Sequence, residues 1–259
     1  MEENKIKLYA DMLYESAKEK KSISPLTELD LELSVDDAYA IQLWNVKRMV
    51  KEGRIISGKK IGLTSEGIQK QLGVREPDYG HLFKNMDCTD GKVKTSDFLQ
   101  PKIEPEIAFI LKEDLVGGKV TAEDVVRATD YVTGAFEIVD SRVKDWKIKL
   151  VDTISDNASS GCYVLGKARL SVEDVNLPEV TMELFKNGVK VCEGSGGAVL
   201  GNPCKAVAWL ANRLWSYGVT LKRGEVILSG AFSAAPEAAA GDKFEVVFSD
   251  FGTVKAEFI

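Results

Sequence analysis

The stretch Gln100-Pro101-Lys102-Ile103-Glu104-Pro105-Glu106-Ile107-Ala108-Phe109-Ile110-Leu111 reads as a β-strand that enters from Pro101 and runs into an apolar end. Side chains two apart in a strand share a face, so Glu104 and Glu106 project to one side, about 7 Å apart along the backbone at a rise of ~3.3 Å per residue. Two carboxylates held that close repel one another, and a fold that keeps them supplies positive charge or protonates one of them. Taken alone, the pair suits either a divalent cation site or a solvated edge strand whose acids face water.

The rest of the chain narrows the chemistry. At 259 residues with 44% hydrophobic content there is material for a substantial core, in one large domain or a small one joined to a larger one. The net charge of -6, with no long basic run, argues against nucleic-acid binding as the main role. No apolar run approaches a membrane span, and the charged start Met1-Glu2-Glu3-Asn4-Lys5 is unlike a signal peptide, so a cytoplasmic protein is expected.

Cys88, Cys162, Cys192 and Cys204 form no Cys-x-x-Cys pair and read as free thiols. His81 is the single histidine, which removes His-rich zinc and iron sites. No nucleophile elbow stands near it for a Ser-His-Asp triad. A metal here is expected on oxygen ligands, which points to magnesium, manganese or calcium.

Apolar spacing predicts a helix over 4–21, followed by a connector over 22–31. Ser34 and Asp37 form a capping box that opens a second helix, with Tyr39, Leu43, Val46 and Val50 as its buried stripe and Gly53 as its stop. A strand over 57–64 leads to a short helix capped by Thr64 or Ser65, and Arg75 to Gly80 reads as a turn. Lys60 lies among small and apolar neighbours and either snorkels to the surface or serves a site.

After a helix from Thr121, Tyr131 to Val139 reads as a strand in which Glu137 is buried and needs a partner. Asp140 and Arg142 are placed to pair with each other. Asp152 to Gly161 reads as a polar loop, plain or site-lining. A hairpin turns at Asn187-Gly188, and the glycines at 194, 196 and 197 lack a phosphate-loop pattern. Asn202-Pro203 opens a helix that ends at Gly218, and three short strands follow. Two helices followed mainly by strands favour an α+β fold.

The runs Gly58-Lys59-Lys60-Ile61-Gly62-Leu63-Thr64-Ser65, Pro77-Asp78-Tyr79-Gly80 and Pro101 to Glu106 resemble the 2-oxopent-4-enoate (2-hydroxypentadienoate) hydratases. So do Glu137 to Arg142, Asp156-Asn157-Ala158-Ser159-Ser160, Leu200 to Pro203, Ala208 to Asn212 and Leu228 to Phe232. These belong to the hydratase/decarboxylase group of the fumarylacetoacetate hydrolase-like superfamily, and the resemblance spans the chain in order.

The resemblance implies a small helical N-terminal region, 1–54, and a catalytic domain on a rolled mixed β-sheet, 55–259. It implies Mg²⁺ or Mn²⁺ on Glu104, Glu106 and Glu137. Lys60 and Asp78 are the implied catalytic residues, and Lys60, Leu63, Asn157 and Ser160 the implied substrate contacts. The implied reaction adds water to 2-hydroxypenta-2,4-dienoate, giving 4-hydroxy-2-oxopentanoate in the meta-cleavage degradation of aromatic compounds. The alternatives are a 2-oxo-3-hexenedioate (4-oxalocrotonate) decarboxylase and a non-catalytic subunit of a hydratase/decarboxylase assembly. A homo-oligomer, pentamer or decamer, is implied, with possible association with a downstream aldolase or a sister decarboxylase.

Overall fold

The computed structural model describes residues 1–259, apart from the side chains at positions 71 and 72. Three helices open the chain: α1 (Glu3–Glu19), α2 (Leu26–Leu29) and α3 (Val35–Lys51). The predicted connector thus contains a helical turn, α2. Ser34 and Asp37 exchange the hydrogen bonds of a capping box at the start of α3. The buried face of α3 is Ala38, Tyr39, Ile41, Gln42 and Val46. Val50, expected in that stripe, is 45% exposed, because the helix tip carries it past the packed face.

Then come β1 (Ile56–Gly62), α4 (Glu66–Leu72), β2 (Asp78–Phe83), β3 (Lys92–Val93), β4 (Lys102–Leu111), α5 (Ala122–Ala128) and β5 (Thr129–Val139). The chain continues through α6 (Leu150–Ser155), β6 (Ser160–Leu165), the hairpin β7 (Thr181–Lys186) and β8 (Val189–Ser195), α7 (Pro203–Trp215), β9 (Val226–Leu228), β10 (Lys243–Phe248) and β11 (Gly252–Phe258). Two expectations are corrected. Asp78 belongs to strand β2 and not to a turn, and nearly all of the expected loop over 152–161 is α6, a tight 3-10 turn and the start of β6.

Two sheets form the body. A mixed sheet orders its strands β2-β1-β9-β4-β5-β6, and a second orders them β3-β11-β10-β7-β8. The odd-numbered side chains of β4, among them Ile103, Ile107 and Phe109, enter the main core with Phe136 and Ile138 of β5. Phe248 of the second sheet reaches the mixed sheet at Gly134, where an added Cβ would lie 2.6 Å from its ring. The even-numbered residues of β4 face the other way. Ala108 joins Leu82, Ala135, Tyr163 and Leu228 in a separate small cluster on that face, and the glutamates continue the same row toward solvent.

The helical region has a small core of its own, Tyr9, Ala10, Leu13, Leu26, Leu33 and Ile41. It is also sewn to the sheet domain. The Gln42 amide, fully buried, donates to Tyr79 O at 3.0 Å and to Ile154 O at 2.9 Å. No helix among the described residues is long and apolar enough to cross a membrane.

Candidate active site

Strand pairing puts five charged residues on one face of the mixed sheet. Glu104 is opposite Glu137 in the β4–β5 ladder, and Glu106 follows two residues further in, opposite Ala135. In β1 and β2, Gly62 is opposite Asp78 and Lys60 is opposite Gly80, while Lys60 also pairs with Leu228 of β9. Residues paired across a ladder share a face, so Lys60 and Asp78 point toward the glutamates.

One carboxylate oxygen from each of Glu104, Glu106 and Glu137 lies within 4.8 Å of the other two. Glu106 and Glu137 are fully buried. Glu106 Oε2 accepts from the Gly230 N–H at 2.8 Å, but its Oε1 and both Glu137 oxygens lack hydrogen-bond partners. Lys60 Nζ stands 3.1 Å from Glu137 Oε1, in ion-pair contact but outside hydrogen-bond geometry. Lys60 therefore does not snorkel; it is 3% exposed.

Burial, then repulsion from Glu137 and Glu104, pushes the Glu106 carboxyl well above the usual range. Burial likewise raises Glu104 and Glu137 against the pull of Lys60. Burial opposes the charge of Lys60, but Glu137, Glu104, Asp78 and Glu106 around it outweigh burial and hold its pKa above normal. Two buried carboxylates with orphaned oxygens, Glu106 and Glu137, joined by the half-buried Glu104 and facing a single ammonium, match the oxygen donors that a hard divalent cation takes.

Asp78 is 2% exposed and its Oδ1 has no hydrogen-bond partner. Burial raises its pKa, with Lys60, the Gly62 N–H and the Thr153 hydroxyl acting in the opposite direction. The room for this carboxyl comes from Gly62, where an added Cβ would lie 2.3 Å from Asp78 Oδ1. Gly230, at φ +117°, is the other glycine the site requires, since an added Cβ there would lie 2.3 Å from Thr64 Oγ1.

A cavity of about 640 Å³ opens over this group and is lined by Lys60, Leu63, Asp78 and Glu104 among others. Asn157 and Ser160 stand elsewhere. Both line a separate cavity beside α3. The Asn157 side chain accepts from the His81 N–H at 2.8 Å and donates to His81 O at 2.9 Å, and Ser160 Oγ donates to Asn157 O at 2.6 Å. These bonds pin the 3-10 turn to β2.

The turn instead presents Ala158 and Ser159 to the site, with Thr153 of α6 beside them. Thr153 and Ser159, whose hydroxyls are 3.2 Å apart, were not singled out from sequence. Asn157, Ala158 and Ser159 all adopt left-handed φ, at 53°, 51° and 54°, a run that non-glycine residues adopt at a cost of about 1 kcal/mol or more each. The one sequence signal was the Asn, which tolerates that region.

Arg142, expected beside Asp140, lies 3.8 Å from it but bonds chiefly to Asp156, its Nε 2.5 Å from Asp156 Oδ1. All four cysteines are free.

A rolled mixed sheet presenting buried carboxylates with a lysine and an aspartic acid defines a fumarylacetoacetate hydrolase-like fold. Residues 88–259 match the family model for the fumarylacetoacetate (FAA) hydrolase C-terminal domain, and the chain belongs to that family. It is 44% identical over 256 residues to a 2-hydroxyhexa-2,4-dienoate hydratase of Comamonas testosteroni, covering 98% of this chain and 97% of that one. It is 46% identical over 250 residues to a 2-keto-4-pentenoate hydratase of Paraburkholderia xenovorans strain LB400, covering 96% and 93%. Among solved structures, it superposes with a TM-score of 0.96 on the 4-oxalocrotonate decarboxylase of Pseudomonas putida G7 complexed with magnesium and adipate. That pair is 35% identical and covers 100% of this chain and 99% of the other.

Proposed function

We propose that this chain is a metal-dependent hydro-lyase that adds water to 2-hydroxypenta-2,4-dienoate and related 2-hydroxydienoates to give 4-hydroxy-2-oxo acids. The observation that carries the reading is the convergence of Lys60 and the buried Asp78 on the cluster Glu104, Glu106 and Glu137, beneath a cavity that Lys60, Asp78 and Glu104 line. Identities of 44–46% to hydratases, against 35% to the decarboxylase, support hydration over decarboxylation.

Glu104, Glu106 and Glu137 would hold Mg²⁺ or Mn²⁺, which when bound supplies a Lewis acid for the oxygens of a 2-oxo acid. Lys60 Nζ offsets the negative charge that collects on the substrate oxygens. In its protonated form, which burial favours, Asp78 would deliver a proton from Oδ1 to carbon 5 of the dienol, and the proton lost by the 2-hydroxyl, passed through water, restores the carboxyl. The resulting 2-oxo-3-enoate takes hydroxide from water at carbon 4 and a proton at carbon 3, and in this reading the Asp78 carboxyl relays that proton from the water. The hydroxyls of Thr153 and Ser159, which line the same cavity, would orient the water. The protein acts as a cytoplasmic homo-oligomer, and its product suits an aldolase, either free or associated.

Purified protein with Mg²⁺ or Mn²⁺ is offered 2-hydroxypenta-2,4-dienoate and 2-oxo-3-hexenedioate separately. Loss of the dienol absorbance with formation of 4-hydroxy-2-oxopentanoate is the expected result. Carbon dioxide released from the second substrate, with no hydration of the first, would assign the decarboxylase reading that the 0.96 TM-score keeps in view.

A further inference from the structure

Segment 229–238 runs beside β4 in the opposite direction. The Ser229 N–H donates to Ile107 O at 3.1 Å, Phe232 N–H to Pro105 O at 3.0 Å, Ile103 N–H to Pro236 O at 3.1 Å and Ala238 N–H to Pro101 O at 3.0 Å. The residues lining the cavity therefore follow β4, and they differ in kind along the strand. At the inner end Gly230 bonds Glu106, and Lys60 and Asp78 converge. At the outer end, past Glu104, stand Lys102, Trp146 and Ile148. Between them the wall is Ala231, Phe232 and Ala235, with Ala198 nearby.

Trp146 is held in place at that end. Asp145 and Trp146 adopt left-handed φ of 56° and 53°, strain of the kind that persists where surrounding structure demands it. The indole Nε1 donates to Gln100 O at 2.9 Å. Lys102 Nζ lies 4.7 Å from the centre of the Trp146 ring, so its charge is already engaged by an aromatic face. The outer end thus combines the Trp146 ring and Ile148 with Lys102, whose ammonium lies over that ring, and it opens from a wall of small side chains in a cavity of about 640 Å³, much more room than a five-carbon acid fills.

We propose that this outer end is an alkyl subsite, through which the enzyme prefers 2-hydroxydienoates carrying an alkyl group of two or more carbons at the distal end over the unsubstituted acid and over one ending in a carboxylate. The proposal rests on the hydratase reading of the same site, which places the oxygen-bearing end of the substrate at the glutamates.

Binding separates the two ideas. The full chain with Mg²⁺ is titrated in a calorimeter with unreactive 2-oxobutyrate, 2-oxohexanoate, 2-oxooctanoate and 2-oxoadipate. Kd is expected to fall by about fourfold per added methylene, with 2-oxoadipate no tighter than 2-oxohexanoate. Ala235→Leu, next to the Pro236 carbonyl that bonds Ile103, narrows the wall leading to the outer end and is expected to flatten the chain-length dependence. A flat series in the unaltered protein, no binding, or 2-oxoadipate bound tenfold more tightly than 2-oxohexanoate overturns the subsite. Turnover of 2-hydroxypenta-2,4-dienoate is followed in parallel. Length-dependent binding without any hydration upholds the alkyl subsite and sinks the hydratase reading alone.

Discussion

Glu104 and Glu137 stand directly opposite one another in the antiparallel ladder of β4 and β5, and neither oxygen of Glu137 has a hydrogen-bond partner. Like charges at opposed strand positions destabilise a sheet, and Lys60 is one cation against three carboxylates. A bound divalent ion would remove that repulsion in the folded chain only. Mg²⁺ or Mn²⁺ at a hundredfold excess over its Kd should therefore stabilise the protein by about 2.7 kcal/mol, read as a rise in Tm. Glu137→Gln should lose the metal-dependent rise; an equal rise in that variant would remove Glu137 from the ligand set.

Asp78→Asn keeps the shape of the side chain and removes its acid/base function. Hydration is expected to slow by about 10² to 10⁴, while the metal-dependent rise in Tm stays as in the unaltered protein. An unchanged kcat would take Asp78 out of proton transfer.

Gly62→Ala tests the positioning of that same carboxyl. Gly62 is not among the residues with positive φ, so alanine suits the backbone, but its Cβ would come within 2.3 Å of Asp78 Oδ1. The carboxyl must move, and a displacement of about 1 Å at a reacting group costs about 10²-fold in rate. Steady-state kinetics should show a fall in kcat with secondary structure retained by circular dichroism. Full activity would mean that the observed Asp78 position is not the working one.

The Gln42 amide, with both hydrogens given to carbonyls, turns its Oε1 to His81 Nδ1 at 3.2 Å, and so makes that nitrogen the donor. Burial, with a smaller contribution from Lys59, holds the imidazole pKa down at about 3. The unfolded chain takes up this proton below about pH 6.5 and the folded chain does not until about pH 3. Stability from His81 is thus complete above the unfolded pKa and is lost as pH falls, by about 1.4 kcal/mol per unit. Urea unfolding at pH 7, 6 and 5 should show the unaltered protein losing ground to His81→Gln as the pH falls. Parallel pH curves would show that His81 does not carry this linkage.

Much of the scaffold is legible in the chain itself because its signals are local. The Ser34–Asp37 capping box, the Asn187-Gly188 hairpin and the Asn202-Pro203 helix start each depend on a few neighbouring residues, and each appears where local chemistry puts it. Val50 and Asp78 were misplaced because helix-end exposure and strand pairing depend on distant partners. The left-handed run at 157–159 has no periodicity to betray it. It exists because Asn157 is bound to His81, 76 residues away.

By itself the sequence determined that Glu104 and Glu106 share one strand face, since a period of two is a property of the backbone. Excluding histidine and thiolate ligands followed from composition, and the family from motifs in order. Only the tertiary structure decided that Glu137 lies opposite Glu104, that Gly62 makes room for Asp78, and that Ser159 rather than Ser160 faces the cavity. The first two are matters of register between paired strands, where a one-residue slip would turn the side chain to the other face, and the third follows from the bonds that hold the 157–159 turn on His81.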